Sequence, residues 1–81
     1  MDSTYLKKES KEEKFIRLAE RRTETTLKNM SLLANLADKR NYSYSPSQVK
    51  RILSIIEDSY KKLKNSFEVQ ARAEKREKFR L

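Results

Sequence analysis

The sequence predicts an all-α protein from three observations. Glycine is absent and Pro46 is the single proline in 81 residues, whereas a β protein of this length needs several tight turns with positive φ. Apolar residues recur every three or four positions over two long stretches, which is the spacing of a helix face. Between those stretches lies a short polar segment with helix-start chemistry.

Taken in order, residues 1–9 are polar and are expected to be flexible. Ser10-Lys11-Glu12-Glu13 has the form of a capping box, in which the Ser10 hydroxyl accepts from the Glu13 amide and the Glu13 side chain reaches back. Acidic groups in that first turn also suit the helix dipole. A stripe then runs through Phe15, Leu18, Ala19, Thr26, Met30, Leu33 and Ala37, broadened by Ile16, Leu27, Ala34 and Leu36. Its weak point is Arg22-Thr23-Glu24-Thr25-Thr26, because β-branched residues lower helix propensity. The helix is expected to continue through it and to end near Asp38 to Arg40, covering about 10–39.

Asn41-Tyr42-Ser43-Tyr44 follows, then Ser45-Pro46-Ser47-Gln48, the clearest local signal in the chain. Ser45 suits an N-cap, Pro46 suits the first helical position where a missing N–H costs nothing, and Gln48 completes the box. A second stripe runs through Val49, Ile52, Leu53, Ile56, Tyr60, Leu63 and Phe67, giving a helix of about 46–72. Residues 73–81 form a highly charged, helix-compatible tail that is expected to fray. Two long helices joined by about six residues should fold back as an antiparallel hairpin, here a domain of 10–72. A hairpin has one interface and leaves part of each stripe uncovered. Pairing into a bundle or docking on a partner protein is therefore expected, and a homo-oligomer is one outcome.

Composition narrows the function. Histidine and cysteine are missing, which removes the usual general base, the thiol nucleophile and the best transition-metal ligands. Without glycine there is no phosphate-cradling loop of the dinucleotide or P-loop kind. Carboxylate neighbours such as Glu12-Glu13 and Glu57-Asp58 point in different directions on a helix. No catalytic residue, metal site or cofactor is expected, and the chain is not expected to be an enzyme. No stretch is apolar enough to span a bilayer, and the opening Met1-Asp2-Ser3-Thr4-Tyr5 lacks signal-peptide character, so a cytoplasmic location without a membrane partner is expected.

Charge indicates what the chain binds. The net charge is +8, and the first forty residues hold ten basic and seven acidic groups against ten and five in the remainder. Such an excess favours a polyanion. Lys39, Arg40, Tyr42 and Tyr44 lie together, followed by a helix start and then Lys50 and Arg51. A helix start offers backbone N–H groups to a phosphate, and tyrosines beside cations can stack on unpaired bases. The competing role for Tyr42 and Tyr44 is to close the end of the hairpin by packing. Arg17, Arg21 and Lys28 share a face of the first helix and would suit phosphates, unless Arg17 pairs with Glu13 or Glu20 and Arg21 with Glu24. Arg72, Lys75, Arg76, Lys78 and Arg80 form a generic polyanion-binding tail.

The stretch from Arg17-Leu18-Ala19-Glu20-Arg21 through Leu33-Ala34-Asn35-Leu36-Ala37-Asp38-Lys39-Arg40-Asn41-Tyr42-Ser43-Tyr44-Ser45 to Val49 and Ile52 resembles a family of small proteins of bacterial and archaeal mobile elements. That family includes the accessory subunit of the staphylococcal cassette chromosome A-family polymerase, part of a primase complex. The similarity covers roughly the middle half of the chain and is strongest at Asn41 to Ser45, an Asn-x-Tyr-x-Tyr-Ser/Thr run that also caps a helix. It implies single-stranded DNA binding in support of replication or priming, with a larger polymerase supplying the chemistry. The expected phosphate contacts are Lys39, Arg40, Lys50, Arg51 and Arg21, with Arg17 beside them, and Tyr42 or Tyr44 is the stacking residue. A protein–protein adaptor or inhibitor that docks its apolar stripe and touches no nucleic acid is the alternative. A duplex-DNA repressor is weaker, because the pattern supplies two long helices and no short recognition helix.

Overall fold

The computed structural model describes residues 8–78, and over that span the protein is all-helical. It has two helices, α1 (Lys11–Asn35) and α2 (Pro46–Lys78). They belong to two units, one ending at Tyr42 and the other beginning at Ser43. The expectation of a loose start falls mainly on residues 1–7, outside the described residues, as do the last three residues of the tail.

In the first unit, α1 starts where the capping box places it. The Ser10 hydroxyl accepts from the Glu13 amide at 3.0 Å, and Glu13 Oε1 accepts from the Ser10 amide at 2.9 Å. The threonine-rich stretch stays helical. Thr25 and Thr26 donate their hydroxyls back to the Arg21 and Arg22 carbonyls at 3.1 and 2.8 Å, which satisfies both side chains without leaving the helix. The helix stops earlier than expected, at Asn35 instead of residue 39. Leu36 and Ala37 bond to Leu33 and Ala34, three residues back, which tightens the last turn. Asp38 then takes the Arg40 amide on its own carboxylate, offering the backbone an alternative to further helix.

In the second unit, Ser45 caps α2 as its chemistry demands. Its hydroxyl accepts from the Gln48 amide at 3.2 Å, and Gln48 Oε1 accepts from the Ser45 amide at 2.8 Å. Pro46 is the first helical residue. The helix runs to Lys78, beyond the expected limit near 72. Ala71, Arg72, Ala73, Glu74, Lys75 and Arg76 all have high intrinsic helix propensity and need no apolar stripe to continue the helix.

No described residue is buried. The apolar stripes of both helices therefore face outward as well as being periodic: Phe15 is 57% exposed in α1 and Phe67 58% exposed in α2. Leu18, Ala19, Val49 and Ile56 are half-buried.

Candidate nucleic-acid interface

The candidate residues fall in both units. In the first, the turn after α1 is organised by Asp38. Its backbone carbonyl accepts from the Asn41 and Tyr42 amides at 3.1 and 3.0 Å. Its carboxylate accepts from the Arg40 amide and from Arg40 Nε, each at 3.0 Å, and from the remaining guanidinium edge at 3.0 Å. This fork-on-carboxylate geometry keeps Asp38 below the ordinary aspartate range, chiefly through the Arg40 side chain and then through the Arg40 amide, and raises Arg40. Arg40 is thus engaged by a neighbouring acid, although its side chain is 88% exposed. An exposed pair of this kind contributes little and yields easily to a competing phosphate. Tyr42 is half-exposed at the end of the same turn.

Along α1 the expected phosphate stripe is less open. Arg17 pairs with neither Glu13 nor Glu20; both arms of its guanidinium hold Glu9, at 2.8 and 2.9 Å, eight residues back. The pair lowers Glu9 and raises Arg17, mainly through the side-chain hydrogen bond. The i,i+3 partnership foreseen for Arg21 with Glu24 is not among the described ion pairs. Both arginines nevertheless line one shallow depression with Ile16, Glu13, Glu20 and Glu24. Three carboxylates beside two guanidiniums do not invite an anion.

In the second unit, Tyr44 is half-buried, and Lys50 and Arg51 are exposed in the first turns of α2. Neither cation forms an ion pair with a described residue. The helix start contributes less than expected. Pro46 has no N–H, the Gln48 amide is taken by the Ser45 hydroxyl, and the Val49 amide goes to the Ser45 carbonyl at 3.2 Å. That leaves Ser47 as the amide of the first turn that the cap does not engage. Cationic side chains must therefore do most of any phosphate binding here.

α2 also carries a longer recurrence than the spacing of its apolar stripe. Lys50, Lys61 and Arg72 recur every eleven residues, as do Arg51 and Lys62, Lys64 and Lys75, and Glu57 and Glu68. Val49 and Tyr60, Ile52 and Leu63, and Ile56 and Phe67 follow the same interval. Eleven residues overshoot three helical turns by only about 20°, so equivalent side chains line up almost parallel to the axis. Shifting the sequence against itself by eleven would have found this; searching for three- and four-residue steps does not. The Glu57–Lys61 pair, at 3.4 Å, lies in one repeat, and Glu68 and Arg72 occupy the corresponding positions in the next.

Among the described residues no group of carboxylates is placed to hold a metal ion, and no helix is long and apolar enough to cross a membrane. No protein-family model, curated protein or solved structure matches the chain.

Proposed function

We propose that this chain is a non-enzymatic nucleic-acid-binding accessory protein, favouring single-stranded DNA and supporting replication or priming of a mobile element in the cytoplasm. The observation that carries the proposal is the pair Lys50 and Arg51, exposed at the start of α2 with no ion pair to a described residue, in a chain of net charge +8. Lys39, Arg40 and Tyr42 in the preceding turn, and Tyr44, add cations for phosphates and aromatic faces for unpaired bases. The resemblance we read in the central stretch points the same way, and on it we propose a partner class, a larger A-family polymerase. The fold that accompanies it is the antiparallel hairpin expected from the sequence, paired into a bundle or docked on that partner.

Fluorescence polarisation with labelled single- and double-stranded oligonucleotides across a salt series tests the proposal. Preference for single strands with a steep salt slope is the expected result. Lys50→Glu with Arg51→Glu should weaken binding, and unchanged affinity at low and moderate salt would remove this site. A second reading is favoured by the exposed apolar stripes, with Leu53 and Tyr60 each 60% exposed. In that reading the chain is an adaptor or inhibitor docking on a larger protein, and negligible oligonucleotide binding at every salt concentration selects it.

A further inference from the structure

We infer that the cation site at the start of α2 continues lengthwise along the helix as a binding face for a nucleic-acid backbone, built from three cation clusters set one repeat apart. The inference rests on the nucleic-acid reading and extends it beyond the connector to most of α2. The clusters are Lys50 with Arg51, then Lys61, Lys62 and Lys64, then Arg72 with Lys75. All seven side chains are exposed, and Lys61 alone among them forms an ion pair with a described residue, the surface contact to Glu57. On a continuous helix each cluster lies about 16 Å beyond the previous one, at 1.5 Å per residue. The near-integral number of turns in eleven residues keeps all three on one side of the rod. Lys50, Arg51, Lys61, Lys62 and Arg72 lie on the side away from the apolar stripe of Val49, Ile56, Leu63 and Phe67, while Lys64 and Lys75 flank it, so a protein covering the stripe leaves at least part of each cluster open.

The acidic residues set the register of the site. Glu57 and Asp58 separate the first two clusters, and Glu68 separates the second from the third. A uniform ribbon of lysine would bind any stretch of polyanion equally. This banded face instead attracts phosphates at three points and repels them in between. A stacked strand rises about 3.4 Å per nucleotide, so the clusters fall about five nucleotides apart and the whole face matches about ten.

Two measurements on the full-length protein test the site. In a length series of single-stranded oligonucleotides, affinity should climb in steps, near five and again near ten nucleotides by that spacing. Neutralising the second and third clusters in part with Lys61→Gln, Lys62→Gln and Arg72→Gln should lower affinity roughly tenfold or more and reduce the salt slope by about two. The control Lys11→Gln, Lys14→Gln and Arg22→Gln removes the same charge from α1 and should lose far less. Circular dichroism checks that both variants keep their helices. If the two variants weaken binding equally, net charge is responsible and the site does not exist. If the α2 variant binds like wild type while Lys50→Glu with Arg51→Glu still weakens binding, the site is overturned and the connector reading survives. If wild type binds no oligonucleotide, both fall together.

Discussion

α1 and α2 draw on the same residue types and arrange them differently. α1 holds six basic and four acidic residues, α2 nine and five. In α1 the carboxylates Glu13, Glu20 and Glu24 crowd the face that carries Arg17 and Arg21, and Glu9 holds Arg17 from outside the helix. In α2 the acids and bases are sorted into bands by an eleven-residue recurrence. The apolar sides differ in the same way. α1 is interrupted at Thr25 and Thr26, whose hydroxyls turn back to their own helix, whereas Val49, Leu53, Ile56, Tyr60, Leu63 and Phe67 follow in unbroken alternating steps of four and three. Similar composition thus gives one helix whose acids crowd its basic face and another whose charges are sorted into bands along its length. Order along the chain, more than charge count, decides which helix gathers its cations into bands beside a regular apolar stripe.

The largest expected effect separates the two apolar faces. On the proposal that a partner helix covers the α2 stripe, Leu63→Ser should lower the apparent stability by about 2 kcal/mol, the transfer cost of a covered leucine side chain. Thr26→Ser, at the middle of the α1 stripe, should cost no more than about 0.5 kcal/mol, because it keeps the back-bonding hydroxyl. Thermal unfolding at one fixed protein concentration reads both, since association makes the midpoint concentration-dependent. Equal effects would erase the distinction between the stripes.

The caps come next. Ser45→Ala should cost about 1 kcal/mol of helix stability, because it strips the acceptor from the Gln48 amide. Ser10→Ala should cost a similar amount for the Glu13 amide. Amide exchange at Gln48 and at Glu13 locates each loss. Removing the interruption works in the opposite direction. Thr25→Ala with Thr26→Ala should raise helix stability by about 0.5 kcal/mol per residue, through propensity alone. Far-ultraviolet circular dichroism on dilution reads that gain.

Much of this was legible in the residues. Ser10 with Glu13 and Ser45 with Gln48 fixed both helix starts, because a cap is a local bargain between a side chain and amides two or three residues away. The ends were harder. The end of α1 depends on whether Asp38 bonds forward to Arg40 or joins the helix, a competition of about the strength of one hydrogen bond that periodicity cannot decide. The apolar stripe thins after Phe67 and points to an end near residue 72, yet Ala, Arg, Glu and Lys sustain the helix to Lys78 without one. Among the candidate residues, the pattern places Lys50 and Arg51 in the first turns of α2, where they are exposed, but it does not foresee that Arg17 is claimed by Glu9. That partner lies eight residues away, in the segment before α1, where i,i+4 counting does not look.

The smallest effect concerns the turn that follows α1. Arg40 holds the Asp38 carboxyl below its ordinary value of 3.8, so the charged form is the one the turn stabilises. A carboxyl depressed on folding contributes its full share above the ordinary value and loses it as pH falls through the lowered one. The turn should therefore be unchanged from neutral pH down to that range and loosen only in stronger acid. Carboxyl chemical shifts of Asp38 and the Arg40 Nε–H resonance report the transition, and added salt should weaken the pair throughout because it is solvent-exposed. Asp38→Asn separates the two jobs of the side chain. An amide oxygen can still accept from the Arg40 amide and keep the backbone turned, while the guanidinium is released; Asp38→Ala gives up both. If Arg40 binds a phosphate, releasing it from Asp38 should strengthen oligonucleotide binding slightly in the Asn variant. Loss of affinity in that variant would mean that Asp38 acts by positioning Arg40.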